Sequence, residues 1–284
     1  MISHFIASVV RAAAMLAIVL LSPSFVAAQS APVEASSAKA LDLPRTPDGK
    51  PDISGVWTGP GFRHIEGARN PDVPAVGLTR FKSKDLPFRP GGEELWNNKL
   101  NGDAFHDDPT LLCFPWGFPF HTMVSNAQHF FQPAGYLVIV YEDMHVTRTI
   151  PMDGRPHPQN LKPTYYGNSV GRYEGDTAVI DTIGLKEWGI DGSGNHKHSD
   201  AAHFIERYRR TGPTTMSQEL TIDDPKIFTE PFTCGTASSH CFPEGNRGPE
   251  LWVKHLRSDW EVIEQYCEDN NKDVGLIEFL KHKK

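Results

Sequence analysis

Between residues 135 and 222 the chain alternates apolar and polar side chains in short runs, each broken by a turn. "GYLVIVYE" (135–142) and "HVTRTIPM" (145–152) are rich in β-branched and aromatic residues and flank Asp143-Met144. Runs of this composition around a two-residue break predict a tight hairpin. "NSVGRYE" (168–174) and "DTAVIDTIG" (176–184) meet at Glu174-Gly175-Asp176, where glycine accommodates a positive φ. "AHFIERYRR" (202–210) and "TTMSQELTI" (214–222) flank Thr211-Gly212-Pro213. Asp223-Asp224-Pro225 ends the last run, because proline has no N–H for a sheet ladder. "SGVWTG" (54–59) starts an earlier strand. "DWEVIEQYC" (259–267) fits strand or helix, and "VGLIEFLKHKK" (274–284) predicts a short terminal helix.

Strands joined by hairpins without intervening helices form an up-and-down sheet, and six or more tend to curl closed, which removes exposed edges. The fold expected is therefore all-β: a lipocalin-like up-and-down antiparallel barrel with long loops and a short C-terminal helix. A β-sandwich is the alternative. A closed sheet of about eight strands encloses one small ligand. Residues 60–134 and 184–201 are long irregular stretches. The first includes "CFPWGFPFHTMVSNAQHFFQPAGY" (113–136), with more aromatics than a solvated loop needs. Trp116, Phe118 and Phe130, with Tyr208 from the strand at 202–210, are candidates to line a pocket for a flat apolar ligand. The alternative is a satellite cluster that pins the loop.

The ends and the composition narrow this further. Residues 1–28 carry Arg11, the apolar run "AAAMLAIVLLSPSFV" and Val26-Ala27-Ala28, the layout of a cleavable signal peptide. Residues 29–42 are small and polar and predict a flexible tether. Residues 43–284 then form a single β-rich domain in a periplasmic or secreted protein, with no membrane span once the leader is removed. A net charge of −7 argues against a nucleic-acid footprint. Twenty-three prolines and 24 glycines imply many turns and few long helices. Four cysteines in an exported chain suggest disulfides, with three possible pairings. Cys234 and Cys241, which bracket "GTASSH", are the favoured pair; Cys113 and Cys267 remain as the second.

The run "PMDGRPHP … PTYYGNSVGRYEGDTAVIDTIGLKEWGIDGSGNHKHSDAAHFIERYRR … LTIDDPKIFTEPFT" resembles a family of exported, mostly uncharacterised bacterial proteins common in acidobacteria and sphingomonads. The resemblance extends from about Asp52 to Asn270. It implies export and a β-rich, calycin-like fold, and no general activity. "HSDAA" (198–202) stands where the family has "HSDAL" or "HTEAL", so His198 matches and His196 and His203 are less typical. "CFPWGFPF" replaces a C-x-P-x-G-x-P-R pattern, leaving Phe120 where the family has arginine, which puts an anion-binding role at that position in doubt.

Candidate chemistry concentrates in "HKHSDAAHFIERYRR" (196–210) and in mid-strand charges. His196, His198 and His203 are the candidate ligands of a zinc or other transition-metal site, with alternation placing the first two on one strand face. A cofactor-free alternative uses paired charges, since a barrel interior tolerates them only in pairs. Its set is His157, His198, Asp153, Glu206, Arg148 and Arg172: an imidazole to move a proton, a carboxylate to orient it, an arginine to hold a developing anion. An Arg148–Glu206 ion pair of purely structural role stays open. Arg207, Arg209 and Arg210 read most simply as solvated cross-strand charges. No nucleophile elbow, phosphate loop or dinucleotide fingerprint occurs. The expected function is an exported cofactor-free lyase or isomerase acting on a small apolar compound, aromatic or terpenoid. A non-catalytic carrier of a hydrophobic ligand and a His-ligated metal enzyme are the alternatives. Oligomeric state is not readable.

Overall fold

The computed structural model describes residues 43–59, 86–97, 114–124, 126–190, 196–235 and 253–263. The chain divides into residues 1–40 and 41–284. The leader and tether expected at 1–28 and 29–42, and the helix expected at 274–284, lie outside the described residues.

The described strands are β1 (Gly55–Thr58), β2 (Gln128–Phe131), β3 (Tyr136–Tyr141), β4 (Thr147–Pro151), β5 (Asn168–Glu174) and β6 (Thr177–Ile183). After these come β7 (Trp188–Gly189), β8 (Lys197–His198), β9 (His203–Arg210), β10 (Thr215–Asp223), β11 (Phe232–Gly235) and β12 (Val253–Leu256). Two short helices, α1 (Gly92–Trp96) and α2 (Phe120–Met123), interrupt the early part. Ten strands form one antiparallel sheet in the order β4-β3-β2-β1-β12-β10-β9-β6-β5, with β11 on β10. The first strand pairs with the last, Trp57 opposite Leu256. The two ends of the row, β4 and β5, pack side by side, and Gly154 N–H, just after β4, donates to Gly171 O of β5 at 2.9 Å. The sheet is a nearly closed, up-and-down barrel, and a sandwich of two sheets is set aside. β7 and β8 pair separately, Trp188 with His198.

Strand alternation sorts the side chains. Phe204, Glu206, Tyr208 and Arg210 on β9 are buried, as are Met216, Gln218, Leu220 and Ile222 on β10. One apolar cluster joins Trp57, Phe130, Leu137, Ile139, Ile150, Ile180, Tyr208 and Met216, strand residues from around the barrel. A second gathers Phe118, Phe204, Leu220, Phe228 and Phe232 with Trp96 of α1. Arg210 corrects an expectation. It shares the inward register of Glu206 and Tyr208, is buried, and donates to Gly212 O and Asp52 O at 3.2 and 2.8 Å. Backbone carbonyls at the strand ends stand in for the water that a solvated charge would use. The β3–β4 link also differs from a two-residue turn. It is a 3-10 turn, Asp143–His145, with Met144 at φ 59°.

Gly171 sits at the seam between β4 and β5. A Cβ there would meet Met152 Sδ at 2.3 Å and Ile150 Cγ2 at 3.3 Å. Gly171→Val should therefore cost about 1–3 kcal/mol of overpacking, read from the midpoint of urea unfolding at unchanged slope. An unchanged midpoint would mean that the seam is looser than this geometry.

Candidate functional site

One layer of the barrel interior is polar. β4 points Arg148 inward, and β9 points Glu206 at it. The Arg148 Nη2 and Nη1 atoms donate to Glu206 Oε2 and Oε1 at 2.7 and 3.1 Å, with side-chain exposures of 4% and 0%. Tyr208 donates its hydroxyl to Glu206 Oε1 at 2.7 Å. Arg148 also donates to Tyr141 Oη (3.2 Å), Ser169 Oγ (2.9 Å) and Thr182 Oγ1 (3.2 Å), and its guanidinium lies over the Phe118 ring at 4.6 Å. Burial pulls the Arg148 pKa down, and the charge and hydrogen bond of Glu206, together with Tyr141 and Tyr208, more than offset it, so the group ends above its ordinary value. Burial pushes the Tyr141 hydroxyl up to about 12 and, with Glu206, lifts Tyr208 well above its usual range. The phenols here are donors, not acids.

Residues 118–123, including α2, lie over this layer and are tied to it. Lys254 on β12 is fully buried and its Nζ donates to Thr122 O, Gly59 O and Gln128 Oε1, each at 3.0 Å. Burial, only partly offset by Glu206, lowers its pKa to about 7. Gln128 and Gln218 reach the same segment, at His121 O (3.2 Å) and Thr122 Oγ1 (3.3 Å). His121 is thereby fixed against the Tyr141 ring, centroids 4.3 Å apart, with Nδ1 2.8 Å from Tyr166 Oη. Burial and then the Arg148 charge lower its pKa to about 3, so it is neutral over the physiological range. Its Nε2 is buried and has no hydrogen-bond partner among the described residues; the same holds for Arg148 Nε and Gln218 Oε1. Buried polar atoms are almost always partnered, by water or ligand where not by protein. This end of the barrel thus carries hydrogen-bonding capacity that the described residues do not use.

The other candidates are dispersed. Phe130 packs edge-on to Tyr208 and Phe118 lies under Arg148, so both share this interior, while Trp116 packs on His121 and Phe120. His198 is buried in the second cluster. Its Nδ1 is 2.9 Å from Ser199 O, and its ring meets Phe204, which in turn packs on Phe118. Asp153 and Arg172 are exposed and paired with near neighbours, Arg155 and Glu174. Arg155 holds the exposed Asp153 carboxyl down at about 2. His157 lies on the outside of the barrel: Asp181 bridges its Nε2 and that of His203, each at 2.9 Å. The three histidines considered for metal do not converge. His196 packs on Trp96, His198 on Phe204, and His203 faces outward on β9. Among the described residues no three His, Cys, Asp or Glu side chains form a metal-holding group. Cys234 is disulfide-bonded, but Cys113, Cys241 and Cys267 lie outside the described residues and the pairing is not placed.

Reading from sequence missed His121, Lys254, Gln128, Gln218 and Tyr141. Gln218 had a usable signal: in "TMSQELTI" it shares alternation with Met216 and Leu220, a polar group in an apolar register. His121 was hidden in an aromatic run, and nothing local marks Lys254. "HSDAA" has a structural explanation. Ser199 donates through N and Oγ to buried Asp224, each at 2.7 Å, which pins the turn before β9 to the end of β10.

No family model, curated protein or solved structure matches the chain.

Two measurements follow. Arg148→Met strands Glu206 as a lone buried carboxylate and should cost about 3–5 kcal/mol, whereas Arg148→Met with Glu206→Leu should regain most of it; chemical denaturation of the three proteins checks both. On the outer face, the Asp181 hydrogen bond, partly opposed by burial, raises the pKa of His203. Burial would lift Asp181, yet its hydrogen bonds from His203 and His157 hold it below the usual carboxylate range. The His203 contribution is complete below the unfolded imidazole value near 6.5 and is lost as pH rises through its folded value. The Asp181 contribution is present above the unfolded carboxylate value near 3.9 and fades as pH falls through its folded value. The stability gap between wild type and His203→Gln should be widest in the weakly acidic window between them and narrow above it. A gap that widens with rising pH would contradict the pairing.

Proposed function

We propose that the chain is an exported enzyme that acts on a small molecule by cofactor-free acid–base chemistry, of isomerase or lyase type, at the polar end of the barrel. The observation that carries this reading is the open Nε2 of a neutral, immobilised His121 beside the Arg148–Glu206–Tyr208–Tyr141 network. When Nδ1–H donates to the Tyr166 oxygen, Nε2 is a bare acceptor for a substrate proton. Its depressed pKa has two causes, burial and the Arg148 charge. Negative charge developing on a substrate oxygen near Arg148 offsets both, so the imidazole gains basicity as the reaction needs it. Arg148 Nε and the Tyr141 hydroxyl are the groups suited to that oxygen. The proton taken by Nε2 returns to a second carbon in an isomerisation, or a β-substituent leaves with its electron pair in a lyase reaction. Phe118, Trp116 and Phe130 favour an apolar or aromatic body. The packed floor of Trp57, Phe130, Tyr208 and Met216 speaks against deep storage of a hydrophobic cargo, and export rests on the leader at 1–28 and on the family resemblance.

The test starts with native mass spectrometry of the purified protein to identify a co-purified compound, followed by its turnover. His121→Gln should lower turnover by on the order of 10²-fold or more while the unfolding midpoint stays near wild type. Undiminished turnover by that variant would remove His121 from proton transfer.

A further inference from the structure

Asp153 and Arg172 meet again in a place unconnected with the polar layer. They line a cleft of about 540 Å³ with Asp48, Lys50, Gln132, Tyr136, Met152 and Tyr173. Tyr136 is the first residue of β3 and Tyr141 the last, so the cleft lies at the other end of that strand from His121. Its volume is in the range of small-molecule sites, about 300–1,000 Å³.

The cleft is a built feature. One wall is the segment 46–50, part of an arm clasped to the barrel by Arg45 Nη2 on Asp176 Oδ1 at 2.6 Å. Gln132 fastens the base of that arm. Its Oε1 accepts from Ile53 N at 2.7 Å, and its Nε2 donates to Pro51 O at 3.0 Å and to Tyr173 Oη at 2.9 Å. The opposite wall holds the Tyr136 ring, 41% exposed, and the Met152 thioether. At Gly135, φ +77°, an added Cβ would meet nothing within 4 Å, so the floor is open there.

The charges are unequal in their engagement. Asp153 is taken by Arg155 at 2.6 Å and Arg172 by Glu174. Lys50 and Asp48 have no ion-pair partner among the described residues. The Lys50 ammonium stands over the Tyr173 ring at 5.6 Å, and Asp48 accepts only from Thr46 Oγ1, at 2.6 Å. Asp48 acts on the same ring from the other side of the ledger: with burial the larger cause, its charge helps raise the Tyr173 hydroxyl. One free cation and one free anion therefore attend a single aromatic ring in a cleft otherwise faced with tyrosine, proline and thioether groups.

We infer that this cleft binds a small zwitterion with a planar apolar side chain, of the free aromatic α-amino acid type. Lys50 takes the carboxylate, Asp48 the ammonium, and Tyr136, Tyr173 and Met152 the side chain. The site is separate from the proposed reaction centre, and either reading can fail without the other.

The experiment titrates the protein with L-phenylalanine, phenylacetate and phenethylamine and follows the backbone amide shifts of Gly135 and Tyr136 by NMR. L-Phenylalanine should saturate those shifts, and each singly charged analogue should bind more weakly by up to about five-fold, the most that one solvent-exposed ion pair supplies. Lys50→Gln should abolish the preference over phenethylamine, and Asp48→Asn the preference over phenylacetate. Both residues are exposed, so neither variant disturbs the core. Absence of saturable shifts at Gly135 and Tyr136, equal binding of all three probes, or preferences that survive both substitutions would overturn the inference.

Discussion

The pairing of Arg148 with Glu206 governs the rest of the interior. A carboxylate with no solvent exposure is costly in a barrel unless a cation and further donors surround it. Glu206 has all of them: a bidentate guanidinium and the Tyr208 hydroxyl. Arg148 in turn demands acceptors for its remaining N–H groups and finds them on β3, β5 and β6. One ion pair thus joins five strands, β3, β4, β5, β6 and β9, and the network runs across the β4–β5 seam where the sheet does not fully close. Apolar packing of similar volume would hold the seam as well, by general experience of buried pairs. The polar solution specifies which strands meet and leaves a charged layer beneath α2.

That layer changes the chemistry above it. Burial makes protonation of His121 unfavourable, and Arg148 beneath the 118–123 segment makes it more so. Lys254 and two glutamines spend their hydrogen bonds on holding that segment in place. The result is a neutral imidazole in a fixed orientation with one nitrogen open. The proposed chemistry requires a ligand that supplies the missing partner.

Much of the fold was legible because β3, β4, β9 and β10 alternate and the turns between 136 and 223 carry glycine, aspartate and proline. Ile205, Arg207 and Arg209 alternate against Phe204, Glu206, Tyr208 and Arg210, and the structure follows that period. It also exposed the weakness of judging residues by type: Arg210 has the inward register, yet charge alone suggested solvent. The β12 closure was not legible, since Val253–Leu256 is four residues long and lies between segments without pattern. The site was legible only in half. Arg148 and Glu206 stood out as mid-strand charges, and Tyr208 as an aromatic candidate for the pocket wall. His121 did not, because its position depends on a fold-back of residues 118–123 over the barrel, fixed by partners from β2, β10 and β12. Histidine density drew attention to 196–203, where His196 packs on Trp96, His198 on Phe204 and Ser199, and His203 pairs with Asp181 on the outer face.

His121 sits neutral in the field of Arg148, with Nε2 unpartnered among the described residues. Nitrogen-15 NMR of the imidazole rings across pH reads it directly. The account predicts that the His121 ring stays neutral through the range where free histidine titrates and protonates only near pH 3, with one nitrogen showing the shift of an unprotonated acceptor. A His121 ring that takes up its second proton near pH 6.5, as an exposed imidazole does, would contradict it.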